Sequence, residues 1–61
     1  MNDNDLIGMD KQDALEACKT HGIACRIVCV DGEYRIVTMD YRLDRINLTI
    51  TNGKVTAVRR G

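Results

Sequence analysis

The sequence predicts an α+β fold in which one helix packs on a small mixed β-sheet. Three observations predict it: an early stretch with helical spacing of apolar residues, a later stretch in which apolar and polar residues alternate, and an Asn-Gly pair between two strand-like runs. The chain has 61 residues and is predicted to form a single domain over residues 1–61. Domains of this size bury only about 60% of their unfolded surface, so the core should be thin.

The helix is predicted over residues 11–21. Asp10 is a favourable N-cap residue, and Asp13 follows three residues later in the manner of a capping box. Gly22 is a natural helix stop. The apolar stripe of this helix comprises Ala14, Leu15, Ala17 and Cys18.

The sheet is predicted to contain a strand at about 25–30 and a hairpin with strands at about 44–51 and 54–59. Asn52-Gly53 between the last two is a strong hairpin signal. The residues predicted to face the core are Ile27 or Val28, Ile46, Leu48 and Ile50, with Val55, Ala57 and Val58 on the returning strand. The final pair Arg59-Arg60 is predicted to be solvated.

The segment at about 31–43 is predicted as a loop. It begins with the turn signal Asp31-Gly32, and local propensity also allows a strand at 34–38. Loops of this length in compact domains are usually functional or disordered, and the composition of IVTMDYR is not that of a disordered segment. The sequence therefore predicts that this segment has a functional role.

Charge and hydropathy exclude several functional classes. Nine basic residues balance nine acidic ones, whereas nucleic-acid or membrane-surface binding needs a basic excess. Two tyrosines offer no platform for stacking bases, and no apolar run is long enough to span a membrane. The opening MNDNDL is not a signal peptide, so a cytoplasmic location is expected, or a secreted or periplasmic one if a leader was removed.

The sequence predicts no catalytic centre, so the protein is not expected to be an enzyme. His21 and Cys18 lie close in sequence, but no third group that would activate a nucleophile is evident. Asp40 and Asp44 have arginines beside them, and ion pairing accounts for these carboxylates more simply than acid–base catalysis. No cofactor is predicted.

The cysteines are predicted to be free thiols that bind no metal. Cys25 and Cys29 lie four residues apart on a predicted strand, and thus about 13 Å apart. Two sulfurs at that distance cannot both lie about 2.3 Å from one zinc ion, and they cannot form a disulfide. Three cysteines, an odd number, also agree with a reducing compartment.

The stretch IVTMDYRLDRINL, from Ile36 to Leu48, resembles the reactive-site loop and following strand of the potato inhibitor I family, which includes the barley chymotrypsin inhibitor. It is more similar to a bacterial peptidase-inhibitor family, inhibitor family seventy-eight, whose signature is close to VTMDYR-x-DR-[LI]-N. The likeness extends to Ile50 and to the end of the chain, and it is schematic over the helix.

The resemblance implies a serine-protease inhibitor with a long exposed reactive-site loop that enters the protease cleft like a substrate. The scissile bond would join Met39 and Asp40, and Met39 would fill the primary pocket of a subtilisin-, chymotrypsin- or elastase-like protease. The residues implied to contact the protease are Val37, Thr38, Met39, Asp40, Tyr41 and Arg42.

The resemblance also implies that the strand beneath the loop supports it. Arg45 matches the basic residue that reaches up to the loop, and its partners would be Thr38 and Asp40. Asn47 matches the bacterial family, whereas the plant family has a second arginine there. The alternative is a non-enzymatic interaction module of the same fold, in which Thr38–Arg42 is only a charged turn. A short sheet with open edges would leave the protein a monomer or an edge-paired homodimer.

Overall fold

The computed structural model describes residues 2–37 and 40–61, so Met1 and the predicted loop residues Thr38 and Met39 lie outside the described residues. A short 3₁₀ helix precedes the α-helix and the strands. The elements are the 3₁₀ helix Asp3–Leu6, α1 Lys11–Thr20, β1 Ala24–Val30, β2 Glu33–Tyr34, β3 Arg45–Thr51 and β4 Lys54–Arg60.

The four strands form one mixed sheet in the order β2-β1-β3-β4. The central pair β1 and β3 is parallel, and the two outer pairs are antiparallel. This arrangement confirms the predicted α+β class with one helix on a mixed sheet. Parallel neighbours need a long crossover, and the chain between β1 and β3 provides it through residues 31–44. The topology thus explains why so small a domain contains so long a connection.

The helix α1 begins at Lys11, the first residue of the predicted helix, and ends at Thr20, one residue before the predicted end. Its C-terminus is a Schellman motif: Gly22 has φ 67°, and the Ile23 N–H donates to the Cys18 carbonyl at 2.8 Å. Asp10 occupies the N-cap position, but its side chain makes no capping hydrogen bond and instead pairs with Lys54 Nζ at 3.2 Å. The predicted capping box with Asp13 is therefore wrong, because the ion pair to β4 engages the carboxylate.

The core lies between α1 and one face of the sheet. Ile46, Leu48 and Ile50 are all buried on this face, as predicted, and Ile27 is partly buried against them. The other fully buried members of the cluster are Leu6, Ala14, Cys18 and Val55. Leu6 comes from the 3₁₀ helix.

Two β-bulges change which residues share a face. Between Ile27 and Cys29 the register of β1 shifts by one residue, so Cys29 pairs with Thr49 on the face away from the helix. A second shift in β4 places Ala57 opposite Thr49. Ala57 is exposed, so the prediction that it is buried is wrong.

The predicted loop at 31–43 begins with a hairpin. Asp31 and Gly32 both have positive φ, as a type I′ turn requires, and Glu33–Tyr34 pairs with the end of β1. The Arg35 N–H adds one more hydrogen bond to the Val28 carbonyl at 2.9 Å. No regular strand continues through 35–37, so a strand at 34–38 is not present as such. The irregular part of the connection begins at residue 35 and not at residue 31, where the loop was predicted to begin.

Replacing Leu48 by alanine should lower the free energy of unfolding by about 2–5 kcal/mol, because the leucine is fully buried and the deletion leaves a cavity. Urea titration measures the change. Ile36→Ala is the matched control: it removes a similar aliphatic side chain that is fully exposed, and should change stability by less than about 0.5 kcal/mol. Equal effects of the two substitutions would contradict the assigned core face.

Candidate functional site: the crossover loop and its support

The crossover exposes an unusual number of large apolar side chains. Ile36 is fully exposed, Tyr41 is 73% exposed and Leu43 is 68% exposed. Val37 is half-buried, and Asp40 and Arg42 are exposed. The predicted contact residues that the structure describes therefore lie on the surface. Sequence reasoning omitted Ile36 and Leu43, although apolar residues next to the contact segment were a visible signal.

Arg45 connects β3 to the loop. Its side chain is only 10% exposed, and it donates from Nη2 to the Asp40 carbonyl oxygen at 2.6 Å and from Nη1 to Asp40 Oδ2 at 3.4 Å. The third bond runs from Nε to the carbonyl oxygen of Gly61 at 2.8 Å. One buried guanidinium thus holds the loop to two strands, and the predicted contact between Arg45 and Asp40 is present.

Asn47 acts one step away from the loop. Its amide donates from Nδ2 to the Gly61 carbonyl oxygen at 3.1 Å and accepts from Arg26 Nε at 2.6 Å. Cross-strand pairing places Arg26, Asn47 and Arg59 in one row on the face away from the helix. Asn47 therefore supports the site indirectly. It holds Gly61 in place after β4, and Arg45 donates to the same Gly61 carbonyl oxygen.

Gly61 lies beneath the ring of Tyr41. A Cβ atom added at this position would lie 3.3 Å from Tyr41 Cε2 and 3.3 Å from Asn47 Nδ2, and its φ of 154° disfavours other residues. The Gly61 N–H also donates to the Arg45 carbonyl at 3.1 Å. Sequence reasoning missed this contact, because nothing local to Arg60-Gly61 indicates that the chain returns beneath the loop.

Ion pairs fix the end of the crossover that leads into β3. Arg42 pairs with Asp44 at 2.8 Å, and the hydrogen bond from Arg42 lowers the pKa of Asp44. Arg60 donates to the Leu43 carbonyl at 3.2 Å and pairs with Asp3 at 2.7 Å, which lowers the pKa of Asp3. Arg60 is exposed, as predicted for the terminal arginines, but it also makes these two contacts.

The three cysteines lie in two environments. Cys18 and Cys25 meet on the helix side of the sheet, whereas Cys29 is on the other face, and all three are free thiols in the structure. Burial, and then the hydrogen bond that the Cys25 thiol makes to Cys18, raises the pKa of Cys25 to about 12. Across residues 2–37 and 40–61, no three ligand-type side chains cluster as a metal site would require.

Cys25 should react slowly with iodoacetamide in the folded protein, because only about one thiol in ten thousand is ionised at pH 8 when the pKa is about 12. Its alkylation should be at least roughly a hundredfold slower than in the unfolded chain. The raised pKa means that the folded state favours the protonated Cys25 thiol. Its contribution to the free energy of unfolding is fully present below about pH 9 and is lost as pH rises towards 12.

Thiol labelling of the unfolded, unreduced protein is the accompanying measurement. It should find three reactive groups per chain. A count of one would mean that a disulfide forms in solution. Native alkylation as fast as in the unfolded chain would contradict the partly buried position of Cys25 and its raised pKa.

No protein-family model matches the chain, and a search of curated proteins finds no significant match. Within the part of the chain that the structure describes, no helix has the length and apolar character needed to cross a membrane.

Proposed function

We propose that this protein is a serine-protease inhibitor whose crossover loop enters the active site of a subtilisin-, chymotrypsin- or elastase-like protease. Val37–Arg42 would occupy the cleft, and the bond between Met39 and Asp40 would lie at the catalytic serine. The observation that carries the proposal is the buried Arg45, which binds both the backbone carbonyl and the carboxylate of Asp40.

This arrangement supports inhibition because it fixes the residue on the leaving-group side of the proposed scissile bond. A loop already held in its bound shape loses little conformational entropy on docking, which raises affinity without further contacts. If the protease cuts the bond, the Asp40 side remains tied to β3 through Arg45. The new amine then stays beside the acyl-enzyme, where it can restore the bond instead of leaving.

The side chains of the loop suggest which proteases it fits. Met39 is large, unbranched and uncharged, so it suits an apolar primary pocket and not the trypsin-like pocket that selects a cation. Val37 would bind on the acyl side, and Tyr41 and Arg42 on the leaving-group side. Tyr41 is exposed and its ring lies next to Gly61, so it can offer contact area to a protease.

Inhibition assays against a subtilisin-type, a chymotrypsin-type and a trypsin-type protease test this proposal. We expect competitive inhibition of at least one of the first two at micromolar concentration or below, and none of the trypsin-type enzyme. Inhibition of the trypsin-type enzyme alone would contradict the role given to Met39. The absence of inhibition of all three, and of an elastase-type enzyme assayed beside them, would overturn the proposal.

The second candidate is a non-enzymatic interaction module of the same fold. The exposed Tyr34, Ile36 and Leu43 favour it, since they extend the apolar surface beyond the proposed contact segment. For either function the protein would be a monomer or an edge-paired homodimer, and Gly8 and Met9 bond Val55 at the start of the outer edge of β4. Binding of a non-protease partner without protease inhibition would select this candidate.

A further inference from the structure

The face of the sheet away from the helix contains an open cleft of about 460 Å³ between the loop and β4. Its lining includes Arg26, Tyr41, Asn47 and Arg59. The volume falls within the range of small-molecule sites. The loop-support role described above uses Asn47 and the neighbouring Arg45, but it gives no function to Arg59.

The cleft is positively charged although the whole chain is neutral. Its lining contains Arg26, Arg59, Arg60 and one aspartate, Asp40, which is bonded to Arg45. Arg60 is paired with Asp3, so Arg26 and Arg59 supply most of the positive charge. Arg26 is fixed in place by its 2.6 Å bond to Asn47, and Arg59 occupies the same cross-strand row on the other side of Asn47. Within residues 2–37 and 40–61, the side chain of Arg59 makes no hydrogen bond or ion pair.

We propose that this cleft binds a small oxyanion of the phosphate class, with Arg59 as the main ligand. Its planar guanidinium can donate two parallel hydrogen bonds to such an anion, and the fixed charge of Arg26 adds attraction across the row. The anion would pair with Arg59, whose side chain has no hydrogen bond or ion pair within the described residues. This inference does not depend on protease inhibition.

Nuclear magnetic resonance titration with inorganic phosphate tests the site, with ionic strength held constant by sodium chloride at pH 7. We expect saturable shifts at the amides of Arg26, Asn47 and Arg59, with a dissociation constant in the millimolar range. A parallel titration with ethyl phosphate separates a free anion from a phosphomonoester group: comparable affinity means that the site accepts the esterified group, and much weaker affinity means that it selects the free anion.

Arg59→Gln should weaken phosphate binding about tenfold or more, as expected for loss of a charge-assisted hydrogen-bonding pair. Lys19→Gln removes the same charge from an exposed position on α1 and should leave binding unchanged. Arg59→Lys keeps the positive charge but loses the planar guanidinium, so its affinity for phosphate should lie between those of Arg59→Gln and the wild type. Shifts that do not saturate, or equal effects of Arg59→Gln and Lys19→Gln, would overturn the proposal.

Discussion

Met39→Ala should weaken inhibition of the target protease by about thirty-fold or more. The proposed loop buries this side chain in the primary pocket of the protease, and truncating a central interface anchor typically costs 2 kcal/mol or more, roughly thirty-fold in affinity. The inhibition constant from steady-state titration measures the effect. The midpoint of thermal unfolding should stay unchanged, because the side chain is assigned to the protease and not to the core.

Ile36→Ala is the matched control for this substitution. Ile36 lies three residues earlier on the same connection, is fully exposed and is outside the proposed contact segment. Its truncation should have a much smaller effect on inhibition than that of Met39. If Met39→Ala leaves the inhibition constant unchanged, the inhibitor proposal falls and the interaction module takes its place.

Arg45→Ala should convert the inhibitor into a substrate. The substitution removes the three hydrogen bonds that the Arg45 side chain donates to Asp40 and Gly61, so Arg45 no longer holds the leaving-group side of the proposed scissile bond. We expect the cleavage rate of the loop to rise at least roughly tenfold, since hydrogen bonds of a charged group contribute about 1.5–3 kcal/mol each. Chromatography of the intact chain during incubation with protease measures the rate.

Arg45→Lys separates charge from geometry, because lysine keeps the cation but cannot donate to Asp40 and Gly61 in the same fixed fork. It should be cleaved faster than the wild type and more slowly than Arg45→Ala. Lys19→Ala removes a cation from the surface of α1 and should be cleaved no faster than the wild type. A wild-type cleavage rate in Arg45→Ala with inhibition intact would show that the arginine does not support the loop.

Local patterns in the sequence were sufficient for the elements that local chemistry controls. Residues Gly22 and Asn52-Gly53 end α1 and turn the last hairpin because each adopts a positive φ that few residues tolerate. Ile46, Leu48 and Ile50 are buried because side chains alternate between the two faces of β3, and these three lie on the face that packs against the helix. The contact of Arg45 with Asp40 followed from the same alternation together with the family resemblance.

The remaining features depend on contacts between distant parts of the chain. The bulges that move Cys29 and Ala57 to the outer face appear only when neighbouring strands are paired. Gly61 beneath Tyr41 and Arg60 against Asp3 join residues far apart in sequence. No local pattern encodes such contacts.

The most direct test of the loop mechanism is to incubate the wild-type chain with an equal amount of a protease that it inhibits and to identify the bond that is cut. We predict one slow cleavage, between Met39 and Asp40, with the protease still inhibited when the cut chain appears. Mass spectrometry of the fragments locates the bond, and residual activity on a small substrate reports inhibition. Rapid cleavage at any other bond, with protease activity restored, would contradict the account.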